Sequence, residues 1–445
     1  MEIGKSLRGL GRERREGELL ADPARMELLN VAALKSQAAA AGLAVHQAPR
    51  GEKSAKAVAQ SIVLRELARR TGEPEVLAKA ASAAARAARE AQGEPRRFAA
   101  ARMQQALCAL TAAELFCDDA AVGSASAWLL EAEQALGCQP GRLNGPGLIR
   151  ARIEARRALV AGDRELAMDT AAKFDQALVS FDARVRATGN GRMEAAAARC
   201  ERAELLIGLG VRSRQPGLLD RAADDLQQVT AELDPGYLPL SWMRAETLRG
   251  QALYALGTLT GEPRVLAEAA AAHGGAVDQA PAGHSPIDRA RAGRGLGLAM
   301  QACAETTGQA KLFASALSAF DAALGELGRD VQALPLRAQL LHDRAACLVR
   351  AAERRNDPAS FLKVESGFRE QLASRNARAD PIAWAVAQVA LARIYELRAE
   401  RQGDCGERAD AAVALSGAME VFAEHRLPAL IEAASEALGR LKARA

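Results

Sequence analysis

Thr71-Gly72-Glu73-Pro74, followed by Val76-Leu77-Ala78, returns as Thr260-Gly261-Glu262-Pro263, followed by Val265-Leu266-Ala267. The copies lie 189 residues apart, which is four steps of about 47. Thr307-Gly308-Gln309 follows one step later, and Asn356-Asp357-Pro358 and Gly403-Asp404 continue the series. Two further markers keep the period. Trp242 and Trp384 are separated by 142 residues, three steps. Ala57-Val58-Ala59-Gln60 recurs as Ala385-Val386-Ala387-Gln388 after 328 residues, seven steps. Three unrelated markers with one spacing establish an internal repeat.

Within a unit the periodicity reads as helix, short loop, helix. Trp242 to Leu256 carries Leu248, Ala252, Leu253 and Leu256 at helical spacing, and Gly257 is expected to close the helix. Gly261 and Pro263 then form the loop, since proline suits a helix's first turn. A second helix is expected from about Arg264 to Val277, and the stretch Gln279 to Pro286 leads onward. Comparable pairs begin near Lys56, Glu94, Pro146, Arg192, Ile287, Pro335 and Pro381. Leu427 to Ala443 reads as a terminal cap with a basic end, which repeat arrays need. Pro23 to Gly42 reads as a helix behind an Arg-rich, disordered start.

Composition agrees with an all-helical chain. Of 445 residues, 49% are hydrophobic but only 3% aromatic. Alanine dominates, and it has the best helix propensity and lets helix axes approach closely. No alternating strand pattern persists. The expected fold is all-α: a right-handed α-solenoid of about eight stacked antiparallel helix pairs with a C-terminal capping helix. The expected divisions are an N-terminal segment over residues 1–55, repeats over 56–425 and the cap over 426–445.

The net charge of +4, from 59 basic and 55 acidic residues, is too small to imply nucleic-acid binding. Only nine of the basic residues are lysine, a bias that a GC-rich genome explains. Seven scattered cysteines, an odd number without Cys-x-x-Cys spacing, fit a reducing cytoplasm better than a secreted disulfide framework. Met1 to Glu18 contains no apolar core of a signal peptide, and no apolar run is long enough to span a membrane. The expected location is cytoplasmic.

Asp380-Pro381-Ile382-Ala383-Trp384, then Gln388, Leu391, Ala392 and Tyr395, resembles the first helix of a bacterial tetratricopeptide-type repeat. Leu312-Phe313 to Leu327 resembles that family's second helix. The likeness covers roughly residues 57–425. The unit departs from the family's 34 residues, being about 47. The family's first-helix glycine is kept only loosely, at Gly250, with Ala392 in the matching place. The resemblance implies an adaptor whose concave face, lined by first helices, binds a peptide or partner domain. The lysine-and-asparagine carboxylate clamp of some family members is not present in that form. All five asparagines (Asn30, Asn144, Asn190, Asn356 and Asn376) are expected in loops or the N-terminal helix.

Catalytic motifs do not emerge. Gly4-Lys5-Ser6 has the ending of a phosphate loop but lacks room for its upstream glycine and strand. Gly293, Gly295 and Gly297 lie inside a first helix and point to close helix packing, not a dinucleotide turn. His46, His273, His284, His342 and His425 have no partner at metal-ligand spacing. Cys117-Asp118-Asp119 and Asp404-Cys405 are the best candidates for reactive thiols or metal corners, without a convergent ligand. No catalytic residue, metal site or cofactor is assigned.

One polar pattern recurs on first helices. Arg150, Arg152, Arg156 and Arg157 begin it, and Arg199 and Arg202 follow. The expected partner-binding residues are Arg244, Arg249, Arg291, Arg294, Arg337, Arg344 and Arg393, with Arg244 and Arg291 one repeat apart. On a concave face they would form a basic ladder for an acidic protein or peptide partner, because guanidinium forks suit carboxylates. Their alternative fate is pairing with Glu154, Glu201, Glu204, Glu246 and Asp343. The function this supports is a non-enzymatic adaptor or scaffold. A ligand- or peptide-sensing regulator is the first alternative. An enzyme whose site is assembled from distant residues is the second.

Overall fold

The computed structural model describes residues 22–91, 93–137, 146–185, 189–327, 335–374, 378–402 and 405–443, and among these proline opens twelve of the 19 helices. Its fixed φ and missing N–H fit the first helical position, where that donor has no intrahelical partner. Of the described residues 88% are helical, and among them there is no strand.

Two helices, α1 (Pro23–Glu27) and α2 (Val31–Gln47), precede eight pairs. The first four are α3 (Lys53–Thr71) with α4 (Pro74–Glu90), α5 (Pro95–Phe116) with α6 (Asp119–Leu136), α7 (Pro146–Ala161) with α8 (Arg164–Val185), and α9 (Gly189–Ser213) with α10 (Pro216–Glu232). The next four are α11 (Pro239–Thr260) with α12 (Pro263–Gln279), α13 (Pro286–Thr307) with α14 (Lys311–Glu326), α15 (Pro335–Arg355) with α16 (Pro358–Ser374), and α17 (Pro381–Gln402) with α18 (Cys405–Glu424). The terminal α19 runs over Pro428–Ala443. From Lys53 to Pro428 eight steps span 375 residues, about 47 each.

The packing repeats with the sequence. Counting ten residues from the start of each second helix reaches Ala84, Leu129, Phe174, Leu226, His273, Phe368 and Leu415, and nine residues reaches Phe320 in α14. Every one of these is buried. In two pairs that seat meets a glycine of the pair's own first helix, His273 at Gly250 and Phe320 at Gly297, and His273 is the one polar residue among the eight.

Several local expectations change. Gly257 does not end its helix. The helix continues to Thr260, and Gly261, at φ 75°, makes the left-handed turn. Gly257 lies inside because Leu266 packs on its backbone, where an added Cβ would meet Leu266 Cγ at 2.8 Å. The segment read as one helix from Pro23 is two, broken where Asn30 caps α2 by accepting from Ala33 N–H at 2.8 Å. The Arg-rich start, including Gly4-Lys5-Ser6, lies outside the described residues.

The chain forms two compact units. The first comprises the described residues of Met1–Glu114, Asp118–Leu248 and Gln279–Pro286. Its core includes Leu110, Val122, Leu129, Ile149 and Ile153, from α5 to α7. The second comprises Leu115–Cys117, Arg249–Asp278 and Ile287 onward. Its largest core gathers Val349, Phe361, Phe368, Ile394, Leu415 and Phe422, from α15 to α18.

Candidate partner-binding surface

In the first unit the first helices share a polar interior linked from helix to helix. Ser61 on α3 meets Cys108 on α5 at 3.7 Å. Arg152 on α7 pairs with Glu201 on α9 at 2.7 Å, and Arg156 with Glu204 at 3.4 Å. Arg244 on α11 reaches back to Glu66 on α3 at 3.6 Å. Burial alone would raise the Glu66 carboxyl, but the guanidinium groups of Arg70, Arg244 and Arg69 bring it down to about 2.

The short α1 is fixed to the same helices. The Glu27 carboxylate accepts from the N–H groups of Leu240 and Ser241 at 3.1 and 3.0 Å, and from the Ser241 hydroxyl. It thereby caps the N-terminus of α11, where free N–H donors and the helix dipole favour an anion. Arg70, fully buried, donates to the carbonyls of Leu29 and Met26 at 2.8 and 2.9 Å and to Glu66 at 2.7 Å. The His284 ring also lies 3.2 Å from the Leu28 carbonyl.

The second unit pairs its arginines locally. Arg294 meets Asp343 at 2.6 Å, one repeat on. Arg337 donates twice to Asp380, at 3.3 and 2.7 Å, and Asp380 also accepts from Ala383 N–H to cap α17. Arg344 meets Asp321 at 2.5 Å. Arg393 is shared between Glu396 and Glu353, at 2.7 and 3.4 Å. Arg291 lies 4.0 Å from Asp288, and Arg249 is likewise engaged.

The seven arginines of the expected ladder are therefore all partnered, and they divide between the units. Arg244 belongs to the first and the other six to the second. Arg244 and Arg291 do occupy equivalent places, each five residues beyond its helix-opening proline. Sequence reasoning passed over Glu27, Arg65, Arg69 and Arg70, which lie on α1 and α3 near the start of the chain. The doublet Arg69-Arg70 beside Glu66 was the available signal.

The glycine run on α13 packs three second-helix side chains. A Cβ on Gly293 would meet Ala323 Cβ at 2.9 Å, one on Gly295 would meet His273 Cε1 at 2.1 Å, and one on Gly297 would meet Phe320 Cε1 at 2.5 Å. Gly250 admits the other side of the His273 ring, with its Cβ position 2.7 Å from Cδ2. Burial pushes His273 down to about 4, and the nearby Gly250 backbone offsets only part of the effect. Trp242 and Trp384 sit three residues beyond their opening prolines, in equivalent places, and both are half-buried. The Trp384 ring faces Gly417 of its own pair's second helix, at 3.7 Å from that glycine's Cβ position.

The thiol candidates resolve differently. Cys117 takes a left-handed φ of 53° between α5 and α6, and Asp118 caps α6 through Ala121 N–H at 3.3 Å. Asp404 and the Cys405 side chain lie outside the described residues. Burial drives the Cys200 and Cys347 thiols up to about 12, leaving them protonated. Among the described residues no three of His, Cys, Asp or Glu converge to hold a metal, and no helix is long and apolar enough to cross a membrane.

No family model matches the chain, and no curated protein matches it. Among solved structures it is similar to the crystal structure of a Rap protein complexed with Competence and Sporulation Factor. Identity is 12% and the TM-score 0.43, over 89% of this chain and 99% of that one. It is also similar to a circular tandem repeat protein with novel repeat topology and enhanced subunit contact surfaces. There identity is 18% and the TM-score 0.28, over 86% and 94% of the two chains. At such low similarity neither neighbour's partner transfers to this chain.

Proposed function

We propose that this chain is a non-enzymatic interaction scaffold whose first helices receive an acidic segment of a partner protein or peptide. Arg244, Arg249, Arg291, Arg294, Arg337, Arg344 and Arg393 contribute by exchanging their intrachain carboxylates for the partner's. The observation that carries this reading is the partial exposure of those ion pairs. The side chains of Arg291, Arg294, Arg344 and Arg393 keep 28%, 30%, 35% and 29% of their surface accessible. The Arg344–Asp321 pair, 35% and 55% exposed, is solvated on both sides and contributes little to stability, so exchanging its carboxylate for a partner's costs little. The reading places the chain in the cytoplasm, where the thiols of Cys108, Cys117, Cys200, Cys303 and Cys347, none of them in a disulfide, stay reduced. The polar interior of the first unit supports a second reading, a regulator that senses a small ligand.

The test is affinity capture from a cell extract, partner identification by mass spectrometry, and elution with salt. Exposed charges are screened beyond about 8 Å at physiological ionic strength, so a partner held this way should elute as salt rises. The triple variant Arg291→Gln/Arg344→Gln/Arg393→Gln should lose it while keeping the helical circular-dichroism signal. A partner that resists salt and binds the folded triple variant undiminished would sink the reading.

A further inference from the structure

Most part-buried arginines among the described residues have a carboxylate partner, and Arg65 and Arg69 do not. On α3, Arg65 and Arg69 stand one turn apart, where like charges repel. Among the described residues neither donates a hydrogen bond or meets a carboxylate within ion-pair distance. The Nε of Arg65 and Nη1 of Arg69 are shut off from solvent without any acceptor. The nearby carboxylates are engaged elsewhere, except that Glu201 Oε2 is buried without a partner. Glu66 is held by Arg70 and Arg244, Glu201 by Arg152, Glu204 by Arg156, and Glu27 by the N-terminus of α11. Burial lowers the Arg65 guanidinium from its usual range and Arg152 and Arg69 add to this, while Cys108 and the Glu66 carboxylate act in the opposite direction. Arg69 lies within electrostatic reach of Glu66 on its own helix and Cys200 on α9. Arg65 lies within reach of Cys108 on α5 and Arg152 on α7. The two side chains thus lie on one face of α3, one turn apart, within electrostatic reach of residues on α5, α7 and α9.

A desolvated guanidinium without an anion is strongly unfavourable. The second unit shows what this repeat ordinarily does about it, since Arg294, Arg337 and Arg393 each have a carboxylate at hydrogen-bond distance. We propose that Arg65 and Arg69 are the two arms of an oxyanion site inside the first unit, which takes a small phosphate- or carboxylate-bearing ligand. Paired guanidinium forks suit both groups, and the half-buried side chains leave a face for a solute to reach. The site goes beyond the interaction reading, because it binds a small anion whether or not a protein docks.

The experiment follows the thermal melting of the full chain with inorganic phosphate and, separately, with succinate. Sodium chloride at matched ionic strength is the reference. At least one of the two anions should raise the melting temperature saturably beyond chloride, and which one does so distinguishes the phosphate source from the carboxylate. The variant Arg65→Gln/Arg69→Gln should lose that response at least tenfold. It should also melt no lower than the wild type in anion-free buffer, because it relieves an uncompensated repulsion. The variant Arg65→Lys/Arg69→Lys keeps the charge without the fork and should fold with a weakened response. Three results would each overturn the proposal: no response to either anion beyond chloride, a full response in either variant, or a Gln variant that melts below the wild type without anion. No protein partner enters this measurement, so its failure leaves the scaffold reading standing and the loss of partner capture leaves this one standing.

Discussion

The two compact units follow one repeat and settle their buried polar groups in different ways. In the second, arginines pair with carboxylates on their own or neighbouring helices, and rings from second helices seat on bare glycine backbone. In the first, Arg244 reaches α3, and the Glu27 carboxylate binds the start of α11 across 213 residues. Repeat arrays are ordinarily sums of nearest-neighbour terms. The ion pairs of the second unit fit that description, although its core also takes in Leu115 of α5 beside Ile287, Phe313 and Leu340, whereas the first carries polar ties that skip several repeats. A shared period therefore fixes how each helix pair packs, without fixing whether a unit unfolds locally or as one.

The largest expected effect tests the long-range tie. Arg70→Ala leaves the Met26 and Leu29 carbonyls and Glu66 without their buried donor. Removing one partner of a buried pair costs about 3–5 kcal/mol. Hydrogen exchange should show α1 and the α11 N-terminus losing protection together, with the second unit unaffected. If only the immediate neighbours of Arg70 respond, the first unit is as local as the second and the contrast fails.

Next comes acid, acting on the second unit through His273. Its folded value of about 4 lies below the ordinary 6.5, so the unfolded chain takes the proton first as pH falls. Stability is therefore full above 6.5, declines between 6.5 and about 4, and levels off below. A displacement of that size corresponds to roughly 3 kcal/mol. His273→Leu, matching Leu226 in the equivalent seat, should flatten this part of the urea-denaturation profile. An unchanged slope in that variant would assign the acid response to other groups.

The sequence disclosed the repeat because loop chemistry and helix starts are local. Proline at a first position and glycine in the loop keep their meaning wherever the unit recurs, so the pair starts were legible to within a few residues. Polar partners are not local. Arg337 finds Asp380 after 43 residues, but Arg244 finds Glu66, far outside one repeat. Only three-dimensional closure brings such groups together, so an arginine ladder read along the chain could not reveal which rungs were already neutralised. Gly257 misled for a related reason. Glycine serves both a left-handed turn and close approach of a neighbouring side chain, and only the position of Leu266 distinguishes the two.

Glycine substitutions sharpen the packing half of the comparison by their sign. Gly295→Ala drives a methyl group into His273, and overpacking of this kind costs about 1–3 kcal/mol. Gly274 and Gly275, on α12, have nothing within 4 Å of an added Cβ. Alanine there should stabilise by about 0.5–1 kcal/mol through helix propensity alone. Melting of the three single variants measures this, and a Gly295→Ala protein as stable as Gly274→Ala would show the ring seat to be loose.

The smallest expected effect concerns two ion pairs of the second unit that the sequence treats alike. Arg344 and Asp321 are 35% and 55% exposed, and water solvates both when they part. Such a pair contributes at most about 1 kcal/mol of coupling. Arg337 and Asp380 are each 14% exposed and bond twice, and Asp380 is also held by the α17 N-terminus. Their carboxylate and fork are already aligned, so less side-chain freedom is lost on pairing and the coupling should exceed that of the exposed pair. Double-mutant cycles with Arg→Gln and Asp→Asn, read by urea denaturation, isolate each coupling from the cost of either single change. Raising the salt concentration should erase the Arg344–Asp321 coupling and leave most of the Arg337–Asp380 value, because screening acts on solvated charges first. Equal couplings would mean that exposure does not grade these arginines, and that a partner's carboxylates would displace Asp321 no more readily than Asp380.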